Sequence, residues 1–223
     1  MTRHFQREID KLKKKMLHVA AMVEENLQGA VKSVTERDAI LASEVIERDN
    51  DIDQMEVEVE EDCLKILALH QPVAYDLRFL IAVLKINNDL ERIGDLATNI
   101  AERTKELVQY PPLRVPFDLD GMLQLAIEMV KGSVDSLVEL DSRRADQVCK
   151  TDDEMDAWHR GAYAAIQEEI AKNPDAVKYY ISLLGISRNL ERIGDHATNI
   201  AEDVMYMESG EIVRHQGEGL AHF

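Results

Sequence analysis

Apolar residues recur every three or four positions through one central stretch of the chain: Ile86, Leu90, Ile93, Ala97 and Ile100. At about 100° per residue they share one side of an α-helix. Glu91, Asp95, Thr98, Asn99 and Glu102 fall within an arc of about 100° on the opposite side. Breaks in such patterns predict six long helices, over roughly 5–36, 39–69, 74–109, 118–139, 142–171 and 175–207. His70-Gln71-Pro72 and Asn173-Pro174 mark two hairpin turns, and Tyr110-Pro111-Pro112 ends the third helix. Pro111 to Pro116 is the only Pro-rich stretch and reads as a linker.

The pattern is written twice. Residues 86–102 read INNDLERIGDLATNIAE and residues 186–202 read ISRNLERIGDHATNIAE, so 13 of 17 positions match. At an offset of 103, Gly29, Val31, Ser33, Asp38, Ala42, Val45, Asp49 and Asp53 fall on Gly132, Val134, Ser136, Asp141, Ala145, Val148, Asp152 and Asp156. The expected fold is all-α, a tandem duplication of an antiparallel three-helix bundle. The first bundle is expected over 1–110, the linker over 111–116 and the second bundle over 117–210.

Composition supports helix, with Gly and Pro scarce and 45% of residues hydrophobic. A net charge of −17 argues against nucleic acid or an anionic membrane as a partner. The basic run Lys11, Lys13, Lys14 and Lys15 reads as a solvated helical turn. The N-terminal residues lack the apolar core of a signal peptide, and the longest apolar run, Phe79 to Leu84, is too short to insert in a membrane. Cys63 and Cys149 are isolated and read as reduced, buried thiols of a cytoplasmic protein.

An acidic stripe opposite an apolar one is ordinarily just a wet face. Here the wet face recurs, as Glu191, Asp195, Thr198, Asn199 and Glu202. Gly94 and Gly194 recur with it, at a mid-helix cost of about 1 kcal/mol each that close packing or a ligand would explain. Register sharpens the picture. Asp49 with Asp95, and Asp53 with Glu91, lie equidistant from Pro72. Asp152 with Asp195, and Asp156 with Glu191, lie equidistant from the Asn173-Pro174 turn. Each hairpin therefore brings four carboxylates level on neighbouring helices, where they repel unless protonated or neutralised.

A cation is one neutraliser. Asp49, Asp53, Glu91 and Asp95, with Asn99 and Glu102 further along, form one candidate metal set. Asp152, Asp156, Glu191 and Asp195, with Asn199 and Glu202, form the other. Oxygen-rich donors suit Mg, Mn or Fe; Ca and Zn suit them less, zinc for want of a duplicated His or Cys. The competing neutraliser is an ion-pair lattice through Arg92 and Arg192, with no metal. His159 follows Asp156 by three, the acid-x-x-His spacing of di-iron bundles, but Glu56 stands at the matching position of the first half. His196 replaces Leu96 off the acidic arc. No nucleophile–base arrangement or phosphate loop is present, so no catalytic residue is expected.

LERIGDLATNIAE and LERIGDHATNIAE, preceded by QPVAYDLR, closely resemble the PhoU family of bacterial phosphate-transport regulators, over nearly the whole chain. The resemblance implies two pseudo-symmetric three-helix bundles and a protein that is not an enzyme. It implies negative regulation of phosphate uptake and of the phosphate-starvation response. Such a protein is an adaptor between the phosphate-specific ABC transporter and a membrane sensor histidine kinase. The resemblance further implies a homodimer in the cytoplasm, peripheral at the inner membrane face through protein partners. Some members bind multinuclear metal clusters at acid-x-x-x-Asp motifs, which map here onto Asp49/Asp53, Glu91/Asp95, Asp152/Asp156 and Glu191/Asp195. The alternative from another class is a carboxylate-bridged metal-dependent oxidase or hydrolase.

Overall fold

A computed structural model describes residues 3–209 of the chain. Met1 and Thr2 of the expected first bundle and Gly210 of the expected second lie outside the described residues. The six helices are α1 (Arg3–Glu36), α2 (Ala39–His70), α3 (Tyr75–Leu107), α4 (Leu119–Glu139), α5 (Ser142–Lys172) and α6 (Val177–Ser209). The fold is all-α, as the periodicity predicts.

The duplicated residues build duplicated corners. Asp38 caps α2 by accepting from the backbone N–H groups of Ile40 and Leu41, and Asp141 caps α5 through Arg143 and Arg144. Ahead of each cap one residue takes the left-handed conformation, Arg37 at φ 55° and Leu140 at φ 50°. The Asp38 and Asp141 N–H groups then reach back to the Ser33 and Ser136 carbonyls, closing each preceding helix. Gly29 and Gly132 let the next helix approach closely. A Cβ at either would stand 2.9 Å from a methyl of Val45 or Val148.

Several helix ends differ by one or two residues from the sequence expectation, and two of them have a visible cause. α3 stops at Leu107 rather than 109, where the Arg37 guanidinium donates to the Leu107 and Tyr110 carbonyls, both at 2.7 Å. Tyr110 also precedes Pro111, which disfavours helical backbone before it. Before α6 a 3-10 turn occupies Pro174–Ala176, so the regular helix starts at Val177 rather than 175. The linker is held down: Leu113, Val115 and Phe117 pack against the core, and the Tyr179 hydroxyl donates to the Leu113 carbonyl.

α3 and α6 form the central pair of the molecule and pack along each other. α1 and α2 lie against α3, α4 and α5 against α6, and α1 touches α4. Three contacts show the central pair to be antiparallel. Lys85 pairs with Asp203 at 3.4 Å, Asn199 donates to Asp89 at 3.2 Å, and Ser182 donates to Glu106 at 2.8 Å. All three are symmetric about the level of Gly94 and Gly194. The core is aliphatic, with Leu80, Ile86, Leu90, Ile93 and Ile100 of α3 fully buried beside Ile186, Leu190, Ile193 and Ile200 of α6. Lys11, Lys13 and Lys14 of the basic run are exposed, as a solvated turn predicts, and the run is tied down at one end. Lys15 pairs with Glu58 and Asp62 of α2, and the Lys13 ammonium stands 5.2 Å over the Phe79 ring.

Candidate functional site

The α2–α3 hairpin brings Asp49, Asp53 and Asp95 together, with carboxylate oxygens all within 4.8 Å of one another. Glu91 completes the group, because its carboxyl feels the charges of both Asp95 and Asp53. Helical spacing explains the placement, since each pair lies four residues apart on one face. In the second half Asp152 feels the charges of Asp195, Asp156 and Glu191. The second set thus interacts across the α5–α6 hairpin, but among the described residues only the first-half trio brings its oxygens within 4.8 Å.

Asp49 and Asp152 lie deepest. Asp49 Oδ1 and Asp152 Oδ1 are buried and have no hydrogen-bond partner among the described residues. An unsatisfied buried carboxylate oxygen is costly and calls for an explanation. Each points at a helical glycine: a Cβ on Gly94 would stand 3.2 Å from Asp49 Oδ1, and one on Gly194 would stand 2.8 Å from Asp152 Oδ1. The glycines leave the room that these carboxylates occupy.

Electrostatics follow from burial and crowding. Desolvation first, then the charges of Asp53 and Asp95, push the Asp49 carboxyl up to about 6, while the Thr98 hydroxyl beside it opposes the rise. Desolvation and the charges of Asp195, Asp156 and Glu191 push Asp152 to about 7. Burial and neighbouring carboxylates raise Glu91, Glu191 and Asp195 as well.

Arginines neutralise part of this charge. Arg92 reaches Glu91 at 3.4 Å and Asp95 at 3.1 Å, and Arg160 reaches Asp156 at 3.1 Å. Arg192 acts on Glu191 and Asp195 through its charge. Both arginines in direct contact are exposed and touch only the outer carboxylates. Neither contacts the orphaned oxygens of Asp49 and Asp152, which is where the ion-pair lattice falls short.

The outlying candidates are placed differently. Asn99 and Glu102 are exposed, outside the group formed by Asp49, Asp53 and Asp95. Glu202 lies near Cys149, a turn along from Asp152, and helps burial push that thiol up to about 11. Asn199 turns to the other half and donates to Asp89. His196 joins it, 2.8 Å from the same Asp89 oxygen, and so bridges the two halves. His159 is paired with Ser187 at 2.8 Å, and its counterpart Glu56 accepts from Asn87 at 3.2 Å. The duplicated position thus serves a cross-hairpin bond in both halves. Cys63 is buried, with its thiol pushed to about 12, but Cys149 is only half-buried.

Thr98 and Glu56 belong to the first site's surroundings and stand outside the predicted donor set. Glu56 follows Asp53 by three, and its charge acts on Glu91. That helical spacing was the available signal.

Fold and site define a duplicated helical bundle that carries a four-carboxylate cluster in each half. The PhoU domain model matches the chain twice, over residues 16–104 and 119–204, and the chain belongs to the PhoU family. It is 37% identical, over 94% of its length and 95% of the relative's, to the phosphate-specific transport system accessory protein PhoU homolog of Aquifex aeolicus. The crystal structure of PhoU from Pseudomonas aeruginosa superposes with a TM-score of 0.90 at 33% identity, covering 93% of this chain and all of that one. The phosphate transport system regulatory protein PhoU from Streptococcus pneumoniae follows at 0.82 and 28% identity, covering 94% of this chain and 99% of that one.

Proposed function

We propose that this chain is a non-enzymatic accessory regulator of phosphate-specific transport. It restrains phosphate uptake and the phosphate-starvation response when phosphate is plentiful. Near-complete alignment with a phosphate-specific transport accessory protein is the observation that carries this reading. The adaptor sits between subunits of the phosphate ABC transporter and the sensor histidine kinase of the phosphate two-component system, as a cytoplasmic homodimer. Among the described residues no helix is long and apolar enough to cross a membrane. With a net charge of −17 the chain reaches the membrane through these proteins rather than through anionic lipid.

The carboxylate clusters are proposed metal sites. Asp49, Asp53, Glu91 and Asp95 would hold a cation in the first half, and Asp152, Asp156, Glu191 and Asp195 in the second. The donor chemistry fits a hard divalent ion, with Mg, Mn or Fe ahead of Ca or Zn. The orphaned oxygens beside Gly94 and Gly194 support the fit. A bound cation supplies positive charge that the half-buried carboxylates otherwise lack. The helices hold those carboxylates in place, so metal binding stiffens each hairpin and fixes the acidic face that partners meet.

The test is made in cells lacking the gene. Phosphate uptake and starvation-gene expression should rise at high phosphate and return to normal with the wild-type gene. Unchanged uptake and expression on deletion would sink the regulatory reading. Elemental analysis of protein purified without chelator, beside Asp95→Ala/Asp195→Ala, tests the metal sites separately. Equal metal content in the two proteins would end that part.

A further inference from the structure

At the far end of the first bundle, α1 and α2 bring together a cluster of different chemistry. His4 and Glu8 stand one helical turn apart on α1, and His70 is the last residue of α2. His4 Nδ1 lies 3.5 Å from Glu8 Oε1, and His70 Nε2 lies 2.5 Å from Glu8 Oε2. One donor atom from each residue falls within 4.8 Å of the other two. We propose that His4, Glu8 and His70 form a metal site for a borderline divalent cation, zinc above all, distinct from the acidic clusters.

The donor set makes the distinction. Two imidazoles and one carboxylate suit zinc, cobalt or nickel, whereas all-oxygen clusters favour harder ions. Tetrahedral zinc at about 2.0–2.1 Å from its ligands holds donors roughly 3.3 Å apart. The His4–Glu8 spacing is already close to that, and the short His70–Glu8 hydrogen bond need only open slightly. Three protein ligands leave a fourth position for water.

The surroundings suit the role. Glu8 and His70 are largely withdrawn from water, with side chains 17% and 20% exposed, while His4 at 75% is free to swing onto the ion. Phe5, 6% exposed, walls one side with its ring 5.2 Å from that of His70. An apolar wall of this kind limits solvent access and strengthens coordination. The site ties the first turn of α1 to the end of α2, beside the hairpin that sets the register of Asp49 and Asp95. It has no counterpart in the second half, because the offset of 103 carries His4 and Glu8 onto Leu107 and Pro111, ahead of α4. One ion per chain is therefore expected here, against a matched pair of acidic sites.

The experiment uses untagged full-length protein in which Asp49, Asp95, Asp152 and Asp195 are each replaced by Asn. Zinc is titrated by calorimetry, and cobalt(II) is followed by its visible absorption. The expected result is one zinc per chain, a rise in melting temperature, and the intense cobalt bands of a four- or five-coordinate site with nitrogen ligands. His4→Ala, a change at an exposed position, weakens binding, and His4→Ala/His70→Ala abolishes it with the helical circular dichroism intact. Wild-type protein saturated with magnesium repeats the cobalt measurement in case the Asn background folds poorly. Zinc binding of equal stoichiometry and affinity with or without the two histidines overturns the proposal, as does a parent protein that binds none.

Discussion

Asp49 of α2 and Gly94 of α3 are fitted to each other: the buried Oδ1 of Asp49 occupies the space beside the glycine where any other side chain would begin. Asp152 and Gly194 repeat the relationship at closer range. The two glycines explain how paired helices can hold a carboxylate between them.

The difference in range makes the first prediction. Alanine gains about 1 kcal/mol of helix propensity over glycine. At Gly94 a contact of 3.2 Å asks Asp49 to give by a few tenths of an ångström, and the propensity gain offsets much of that. At Gly194 the contact is 2.8 Å, with the Met129 methyl at 3.3 Å closing the other side, so Asp152 must move. Gly194→Ala is expected to lower stability and Mn2+ affinity more than Gly94→Ala does. Denaturant unfolding and manganese titration of both variants check the order, and equal effects would refute it.

The raised carboxyls fix the sign of a pH dependence. Asp49 near 6 and Asp152 near 7 bind protons more tightly folded than unfolded, where the ordinary value is about 4. Their contribution to stability is fully present below about 4 and is lost as pH rises through 6 and 7. For metal-free protein, Asp152→Asn should therefore raise the melting temperature at pH near 7.5 by roughly 2–4 °C. Near pH 4 it should change little. A melting temperature that responds equally at both pH values would count against the buried-carboxylate account.

The helices were legible because their apolar stripes and turn residues are strong local signals. The α2–α3 and α5–α6 registers were legible because short hairpins leave little freedom. The sixth helix begins late because Pro174 starts a 3-10 turn, a detail that apolar periodicity does not carry. Asn199 shows what a helical wheel cannot give. It lies on the acidic arc, yet packing of α6 on α3 covers that edge and turns its amide to Asp89. A wheel separates wet from dry sides but does not say which part of the wet side a second bundle will cover. The meaning of Gly94 stayed open for the same reason, since the carboxylate that needs the space comes from another helix.

Metal linkage tests whether the clusters act as matched halves. A cation that binds only the folded chain stabilises it by about 2.7 kcal/mol per site at 100 times its dissociation constant. Asp95→Ala and Asp195→Ala should each remove about half of the manganese-induced stabilisation, and the double variant all of it. The readout is the difference in unfolding free energy with and without manganese. If either single variant removes the whole effect, the halves do not bind independently.

Asp89 gives the last prediction, because it holds the two halves together without belonging to either cluster. It is 7% exposed and accepts from Asn199, with His196 on the same oxygen, so its loss strands both partners at the α3–α6 interface. Leaving such groups unpaired costs about 1–3 kcal/mol. The bonds of Asp89 run to Asn199 and His196 rather than to a cluster carboxylate, so Asp89→Ala should weaken docking of the halves while leaving each carboxylate cluster formed. The expected outcome is lower cooperativity in denaturant unfolding, seen as a smaller slope or a second transition, with manganese stoichiometry unchanged. Asp89→Asn, which can still accept a hydrogen bond, should recover much of the loss. Loss of manganese sites in Asp89→Ala would mean that the clusters depend on the interface rather than on the hairpins alone.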